Sequence, residues 1–260
     1  MLLLFILMRA VAYLRKEDKN LDRDNPYIHP EAVEVLPEDM RGFVALYPAQ
    51  SNLQDRASFY EKLLKPILDV ILSFLGLLLL SPIFLLIIIA IKIDDPGPVF
   101  FKQKRVGKNK RFFLLHKFRS MKMSTPHDMP THLLANPEQY ITRVGKFLRK
   151  SSLDELPQIW DIFRGKMSIV GPRPALWNQA DLIAERDRWR ANEVMPGLTG
   201  LAQISGRDVL EIKDKAEQDG LYTRILRKNN SSGLLVDVKC FFGTLLPVLK
   251  SEGIVEGSKI

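Results

Sequence analysis

From Pro66 to Ile91 the chain runs for about 26 residues with one charged side chain, Asp69, and a single interruption at Ser81-Pro82. As a helix rising ~1.5 Å per residue this run would reach roughly 39 Å, enough to cross the hydrocarbon core of a bilayer. The flanks argue otherwise. Lys62 and Lys65 precede the run and Lys92, Lys102, Lys104 and Arg105 follow it, and basic residues favour the cytoplasmic side, so both ends carry the same preference. Pro82 lacks a backbone donor and crowds the preceding turn, so it can bend a helix, and the Ser81 hydroxyl can satisfy a carbonyl freed by that bend. A hairpin entering and leaving one leaflet and a kinked single span both meet these cues. Asp69 stands early in the run, where a charge near the interface is tolerable.

The rest of the chain has room for one globular domain. With 260 residues and 46% hydrophobic composition, one membrane element plus one domain of ordinary size is expected, with residues 1–60 as an N-terminal extension, 61–93 as the membrane element and 94–260 as the cytoplasmic domain. Leu2–Met8 only faintly imitates a signal peptide and reads as an interfacial helix. Pro26, Pro30, Pro37 and Pro48 break any long helix after it. The net charge of +8 is concentrated: nine Lys or Arg and no acidic residue lie between Pro96 and His127, which points to phosphates on lipid or substrate. One cysteine, Cys240, excludes an intramolecular disulfide framework and a cysteine zinc site.

Val99–Phe101 and Phe112–Leu115 predict two strands joined through Gly107-Lys108-Asn109. Lys117-Phe118-Arg119-Ser120-Met121 continues the cationic surface. Thr142–Lys150 predicts a helix leading to Ser152-Leu153-Asp154-Glu155-Leu156-Pro157-Gln158. Ser152 and Glu155 match a capping box, but Pro157 would then fall where an N–H is required, which leaves Asp154 as the better N-cap. A carboxylate there, beside Arg149 at a helix start, sits where a phosphate would also be drawn; an ordinary helix start is the competing reading. In Gly171-Pro172-Arg173-Pro174 the two prolines restrain the backbone around Arg173, an arrangement that orients a guanidinium for bidentate phosphate contact. Pro196-Gly197-Leu198-Thr199-Gly200, with Arg207 beyond it, supplies a glycine-rich loop that permits close backbone approach.

Taken together, Gly97-Pro98-Val99-Phe100-Phe101-Lys102-Gln103 with Arg105 and Gly107, the Lys117–Met121 block, Ser152–Gln158 through Pro174, and Pro196–Gly200 resemble the bacterial sugar transferases, monotopic phosphoglycosyl transferases that start glycan assembly on polyprenyl phosphate. The resemblance covers Lys62 to about Gly253. It implies a mostly helical α/β catalytic domain with a short β-hairpin, attached to a re-entrant membrane helix broken at Ser81-Pro82 and carrying interfacial amphipathic helices, on the cytoplasmic face of the bacterial inner membrane. It further implies transfer of sugar 1-phosphate from a UDP-sugar to undecaprenyl phosphate with release of UMP, in a ping-pong sequence through a phosphosugar-aspartyl intermediate. By that resemblance Asp154 is the nucleophile and a ligand of Mg²⁺, Glu155 assists by taking a proton or organising the metal, and Arg149, Pro172 and Arg173 belong to the phosphate site. Lys117, Arg119 and Arg207 join them on charge and motif membership. The stretch Val209–Ala216 lacks the tryptophan of larger members and resembles small members that use N-acetylated deoxy-sugars.

A multi-span prenyl-phosphate transferase would need further apolar segments. An adaptor binding anionic lipid or nucleic acid explains the basic stretch but gives Asp154-Glu155 and the restrained Arg173 no purpose, so nucleic acid is not an expected partner; membrane lipids are, and a homodimer is left open.

Overall fold

The computed structural model describes residues 21, 22, 24–27, 57–125, 137–206 and 210–249. Arg207 and most of the N-terminal extension, including Leu2–Met8, lie outside the described residues. A π-helical turn, Tyr60–Leu64, leads directly into α1, Lys65–Asp94. This helix is assigned as one element across Pro82. Pro82 leaves the carbonyl four residues earlier, Leu78, without its intrahelical donor, and the Ser81 hydroxyl donates to that carbonyl at 2.8 Å. The repair expected of Ser81-Pro82 is therefore in place, while a second antiparallel arm after it is not seen.

Both ends of α1 rest on the same globular body. Lys65, Asp69, Val70 and Ser73 are buried at its start and Ile87 and Ile91 near its end, whereas the middle exposes Leu78, Leu79, Leu85 and Leu86, with Leu79 at 76%. At the start, the Asp69 carboxylate accepts from Ser168 Oγ at 2.7 Å and the Ile169 N–H at 3.0 Å. Lys65 pairs with Asp237 at 2.5 Å, and Asp237 also accepts from the hydroxyls of Tyr60 and Tyr222, each at 2.8 Å. At the end, Asp94 accepts from the Val144 N–H at 2.8 Å and Asp95 pairs with Arg119 at 2.6 Å. A charge inside an apolar helix is tolerable when it turns away from lipid and is hydrogen-bonded, which accounts for Asp69. The exposed middle is a contiguous apolar surface far beyond what a water-facing monomer sustains. The helix is thus membrane-associated.

After α1 come β1, Phe100–Val106, and β2, Phe112–Phe118, paired antiparallel with Phe101 opposite Lys117 and Arg105 opposite Phe113. The strands are longer than their apolar ends alone predict, because Lys102 to Arg105 continue the pairing through charged residues. Asn109 and Lys110 take left-handed φ of 54° and 62° to close the turn. Helix α2, Arg143–Lys150, is capped by Thr142, whose side chain accepts from the Gly145 N–H at 2.9 Å. A 3-10 turn, Leu153–Glu155, is followed by α3, Gln158–Phe163, and β3, Ser168–Val170. Next are α4, Ala180–Arg188, and β4, Gly197–Thr199, parallel to β3, then α5, Leu201–Ser205, α6, Ile212–Lys228, and α7, Asn230–Leu249. The domain is mostly helical with a short β-hairpin, as expected. Its β content among the described residues is two separate two-stranded pairs rather than a central sheet.

Helices α6 and α7 close a core of Tyr60, Val170, Leu201, Tyr222, Leu226 and Cys240. The opposite face of α7 exposes Leu235, Val238, Phe241 and Phe242. Burial, followed by the Asp237 carboxylate nearby, pushes the Cys240 thiol up to about 12, and thiolate is the reactive form. We expect maleimide to label Cys240 at pH 8 at least about 100-fold more slowly in the folded protein than in denaturant, as thiolate-dependent reactivity requires; comparable rates, read by intact-mass spectrometry, would contradict this docking of α7.

Candidate active site

Asp154 and Glu155 occupy the 3-10 turn between α2 and α3. Asp154 is therefore not a helix N-cap, the role its spacing suggested. Ser152 stands before the turn in a left-handed conformation, φ 56°, and the helical stretch proper starts only after Pro157. The proline explains why no α-helix runs on from Ser152, since residue 157 would there have to donate to the Leu153 carbonyl. Leu153 and Leu156 bracket the two acids and pack with Ile87, Ile91, Phe118 and Leu148. The acidic turn is thereby fastened to the second half of the membrane-associated helix.

Three separate segments bring cations to this turn. Strand β2 delivers Lys117, whose Nζ lies 2.8 Å from Glu155 Oε1 and 3.9 Å from Asp154 Oδ2. The last turn of α2 delivers Arg149, close enough to Asp154 to stabilise its charged form. The chain after β3 delivers Arg173, which holds Glu155 in a two-pronged contact, one arm to Oε1 and the other to Oε2 at 3.1 Å. Such fork-to-fork pairing fixes orientation as well as charge.

Arg173 is placed by a local backbone zipper. The Gly171 N–H donates to the Thr199 carbonyl at 2.7 Å and the Gly197 N–H to the Pro172 carbonyl at 2.9 Å. A Cβ on Gly171 would overlap the Met195 carbonyl, and one on Gly197 would overlap the Gly171 nitrogen. These glycines thus let two backbone segments approach each other, a structural use of the loop that spacing alone read as room for a ligand. Pro172 acts through its carbonyl in this zipper, and Arg173 emerges at its end.

Arg105 completes the cluster, and the sequence reading did not assign it to the site. Its guanidinium donates to the Pro174 carbonyl at 3.0 Å and to Gln103 Oε1 at 2.6 and 3.1 Å. Burial and then the neighbouring Arg173 lower it to about 10, with Glu155 opposing, so it stays cationic at neutral pH. The signal was available in the strand register: with Phe101 opposite Lys117, the two-residue alternation puts Gln103 and Arg105 on the Lys117 face. Arg119 is not brought to this cluster. Its guanidinium pairs with the Asp95 side chain and carbonyl, tying the end of α1 to the strand that follows. His116, next to Lys117, hydrogen-bonds Asp161 through its ring at 2.7 Å and its backbone N–H at 2.8 Å.

The two carboxylates are driven apart electrostatically. Burial pushes Asp154 up, with the Lys117 ammonium opposing and the Glu155 charge adding to the rise. Burial acts in the same sense on Glu155, but Arg173 and Lys117 together outweigh it and hold this carboxyl well below the usual range. An acid so strongly held as its anion is a poor proton acceptor at neutral pH, so its evident work here is to orient Lys117 and Arg173. Asp154 is the more basic carboxylate, surrounded by cations suited to an incoming anion.

Among the described residues no three acidic, histidine or cysteine side chains gather as a metal cage. A magnesium ion keeps several waters and usually takes one or two carboxylates together with substrate phosphates. Asp154 offers such an oxygen ligand, while both Glu155 oxygens are engaged by Lys117 and Arg173.

The family model for bacterial sugar transferases matches residues 60–251. The chain belongs to this family. It is 36% identical over 198 residues to an uncharacterized sugar transferase, EpsL, of Bacillus subtilis, covering 76% of this chain and 93% of that protein. It is likewise 36% identical over 199 residues to the exopolysaccharide production protein ExoY of Rhizobium meliloti, covering 71% and 85% of the two chains. Over 167 residues it is 40% identical to the UDP-glucose:undecaprenyl-phosphate glucose-1-phosphate transferase of Escherichia coli, covering 60% of this chain and 34% of that longer protein. As a member of the family the chain is a transferase.

Because the folded pKa of Glu155 is depressed, its ion pairs contribute stability above the unfolded glutamate pKa, about 4.3, and lose it as pH falls from there through the folded value. We expect Glu155→Gln to lower the melting temperature in detergent at pH 7 by several degrees, with the difference from wild type shrinking as pH is taken below about 4. A difference that does not change with pH would remove the charge pairing as its cause.

Proposed function

We propose that the protein transfers sugar 1-phosphate from a UDP-sugar to undecaprenyl phosphate, releasing UMP. The observation that carries this reading is a basic, part-buried carboxylate, Asp154, set among Lys117, Arg149 and Arg173, with Arg105 next to Arg173, on a turn fastened to a lipid-facing helix. The relatives named as undecaprenyl-phosphate sugar-phosphate transferases support the same substrate pair.

In the first half-reaction Arg173, Arg105 and Lys117 hold the diphosphate, and an Asp154 oxygen attacks the sugar-proximal phosphorus. The bond from that phosphorus to the bridging oxygen breaks, UMP leaves with the oxygen, and sugar phosphate remains joined to Asp154 as an acyl phosphate. In the second, an oxygen of undecaprenyl phosphate attacks the same phosphorus and the acyl phosphate bond breaks. The Asp154 carboxylate is regenerated and the product is the lipid-linked sugar diphosphate. When bound at Asp154, Mg²⁺ would offset the repulsion between this carboxylate and its anionic target. Phosphoryl transfer of this kind rests on positioning and charge stabilisation, which is what the arginines and Lys117 supply.

The two substrates come from different phases. A helix that rests on the catalytic domain at both ends, with its Ser81-Pro82 middle directed to lipid, suits a re-entrant element that brings Asp154 to the headgroup level on the cytoplasmic face of the inner membrane. The outer face of α7 suits an interfacial helix beside it. A donor that is an N-acetylated deoxy-sugar and assembly as a homodimer remain part of this reading as alternatives for test.

Two experiments test it. UMP release from a panel of UDP-sugars by detergent-solubilised protein with undecaprenyl phosphate and Mg²⁺ is expected for at least one donor, falling by at least about 10³-fold in Asp154→Asn, as for loss of a covalent nucleophile. It should also disappear on chelation. Undiminished turnover in the variant would rule out Asp154 as nucleophile. For topology, in a Cys240→Ser background, Ser58→Cys and Ser124→Cys should both resist an impermeant maleimide on intact spheroplasts and both react after lysis; labelling of one from outside would establish a crossing.

A further inference from the structure

A short piece of the N-terminal extension is built into the wall of the site. Asp22 Oδ1 accepts the Phe112 N–H at 2.8 Å and Asn25 Nδ2 at 3.0 Å. The same Asn25 amide donates to the Lys110 carbonyl at 2.8 Å, and its oxygen accepts the Tyr27 N–H at 3.0 Å. Asn25 is fully buried. The Tyr27 hydroxyl then donates to the Trp177 carbonyl at 2.9 Å, and its ring meets Phe112 edge-on at 6.2 Å between centroids. Leu21 and Tyr27 pack over the small core of Val106, Phe112 and Ala175.

The two structures gripped in this way are the two cationic walls of the anion site. Lys110 and Phe112 belong to the hairpin that carries Arg105 and Lys117, and Trp177 ends the loop that carries Arg173. The walls meet along a seam where the Val106 N–H donates to the Ala175 carbonyl at 2.9 Å and Arg105 to the Pro174 carbonyl, with Lys104 Nζ over the Trp177 ring at 4.5 Å beside it. Asp22, Asn25 and Tyr27 grip both sides of that seam, at the turn end of the hairpin. The family match begins at residue 60, so this grip is contributed by a part of the chain outside it.

We propose that Asn25 and Tyr27 are positioning residues that set the distance between Arg105 and Arg173, and so tune how tightly the site holds a diphosphate. This rests on the proposed function, in which those arginines hold the donor. The grip acts on donor binding, because it governs the arginines, and leaves the acceptor half-reaction alone, because Asp154, Leu153 and Leu156 are fastened to α1 instead.

The test compares full-length wild type with Tyr27→Phe, which removes one hydrogen bond and no packing volume. Loss of a bond worth about 1 kcal/mol corresponds to a change of about fivefold. UDP affinity, measured by calorimetry, should weaken about 3- to 10-fold, and donor KM should rise by the same factor with kcat and acceptor KM within twofold. Hydrogen exchange at the Val106 and Leu176 amides should quicken by a similar factor, while that of Ile169 is unchanged. In an Arg173→Lys background the same substitution should add nothing to the loss of UDP affinity. Unchanged exchange, faster exchange with unchanged UDP affinity, or additive effects in the double variant would each overturn the proposal. Absence of UMP release by wild type would instead sink the proposed function, and the UDP and exchange measurements would still decide whether the grip spaces the arginines.

Discussion

The structure depends on how a 30-residue apolar helix is held to a charged domain. Apolar packing alone would let α1 slide, since one leucine surface is much like the next. Polar anchors prevent this. Asp69 against Ser168 and Ile169, with Lys65 against Asp237, fixes one end; Asp94 against Val144, with Asp95 against Arg119, fixes the other. Lys65, Asp69, Asp237 and Arg119 are buried charges, and a buried charge is costly unless met by its own partner, so the helix has one register. The catalytic turn inherits that register through Leu153 and Leu156.

The division of labour between the two neighbouring acids follows from geometry rather than residue type. Glu155 is the longer side chain and reaches both Lys117 and Arg173, so it is locked as an anion. Asp154, one carbon shorter, meets Lys117 only at 3.9 Å and is left to the effect of burial. Two carboxylates side by side thus acquire different basicities, the kind of divergence by which one site can give two acids different roles.

Much of this was legible in the residues. The apolar run, the Ser81 hydroxyl meeting the carbonyl that Pro82 leaves free, the β-hairpin and the helix ending at Lys150 all carry local signals strong enough to survive folding. Arg173 was legible because prolines on both sides advertise a restrained side chain. Asp154 was seen as a charged site but misplaced as a helix cap, because a one-turn 3-10 element set off by a left-handed serine leaves no periodic trace. Arg119 was grouped with the site on motif membership, whereas its partner Asp95 lies 24 residues away and only tertiary structure joins them. Gly197 looked like ligand clearance and proved to be backbone-to-backbone clearance against Gly171, two uses that sequence cannot separate. Residues 21–27 gave no hint at all, since their partners lie at least 85 residues further on in the chain for Lys110 and 150 for Trp177.

The attachment of the acidic turn to α1 couples that turn to the helix that carries the exposed apolar surface. A bilayer that is too thick or too thin for the apolar middle of the helix imposes a strain of fractions of a kcal/mol per Å. With the helix held at both ends, that strain has few places to go other than the Pro82 position, which lacks one backbone hydrogen bond, and Leu153 and Leu156 beside Asp154. A helix fixed at both ends thus passes any strain in its apolar middle toward the turn that carries Asp154.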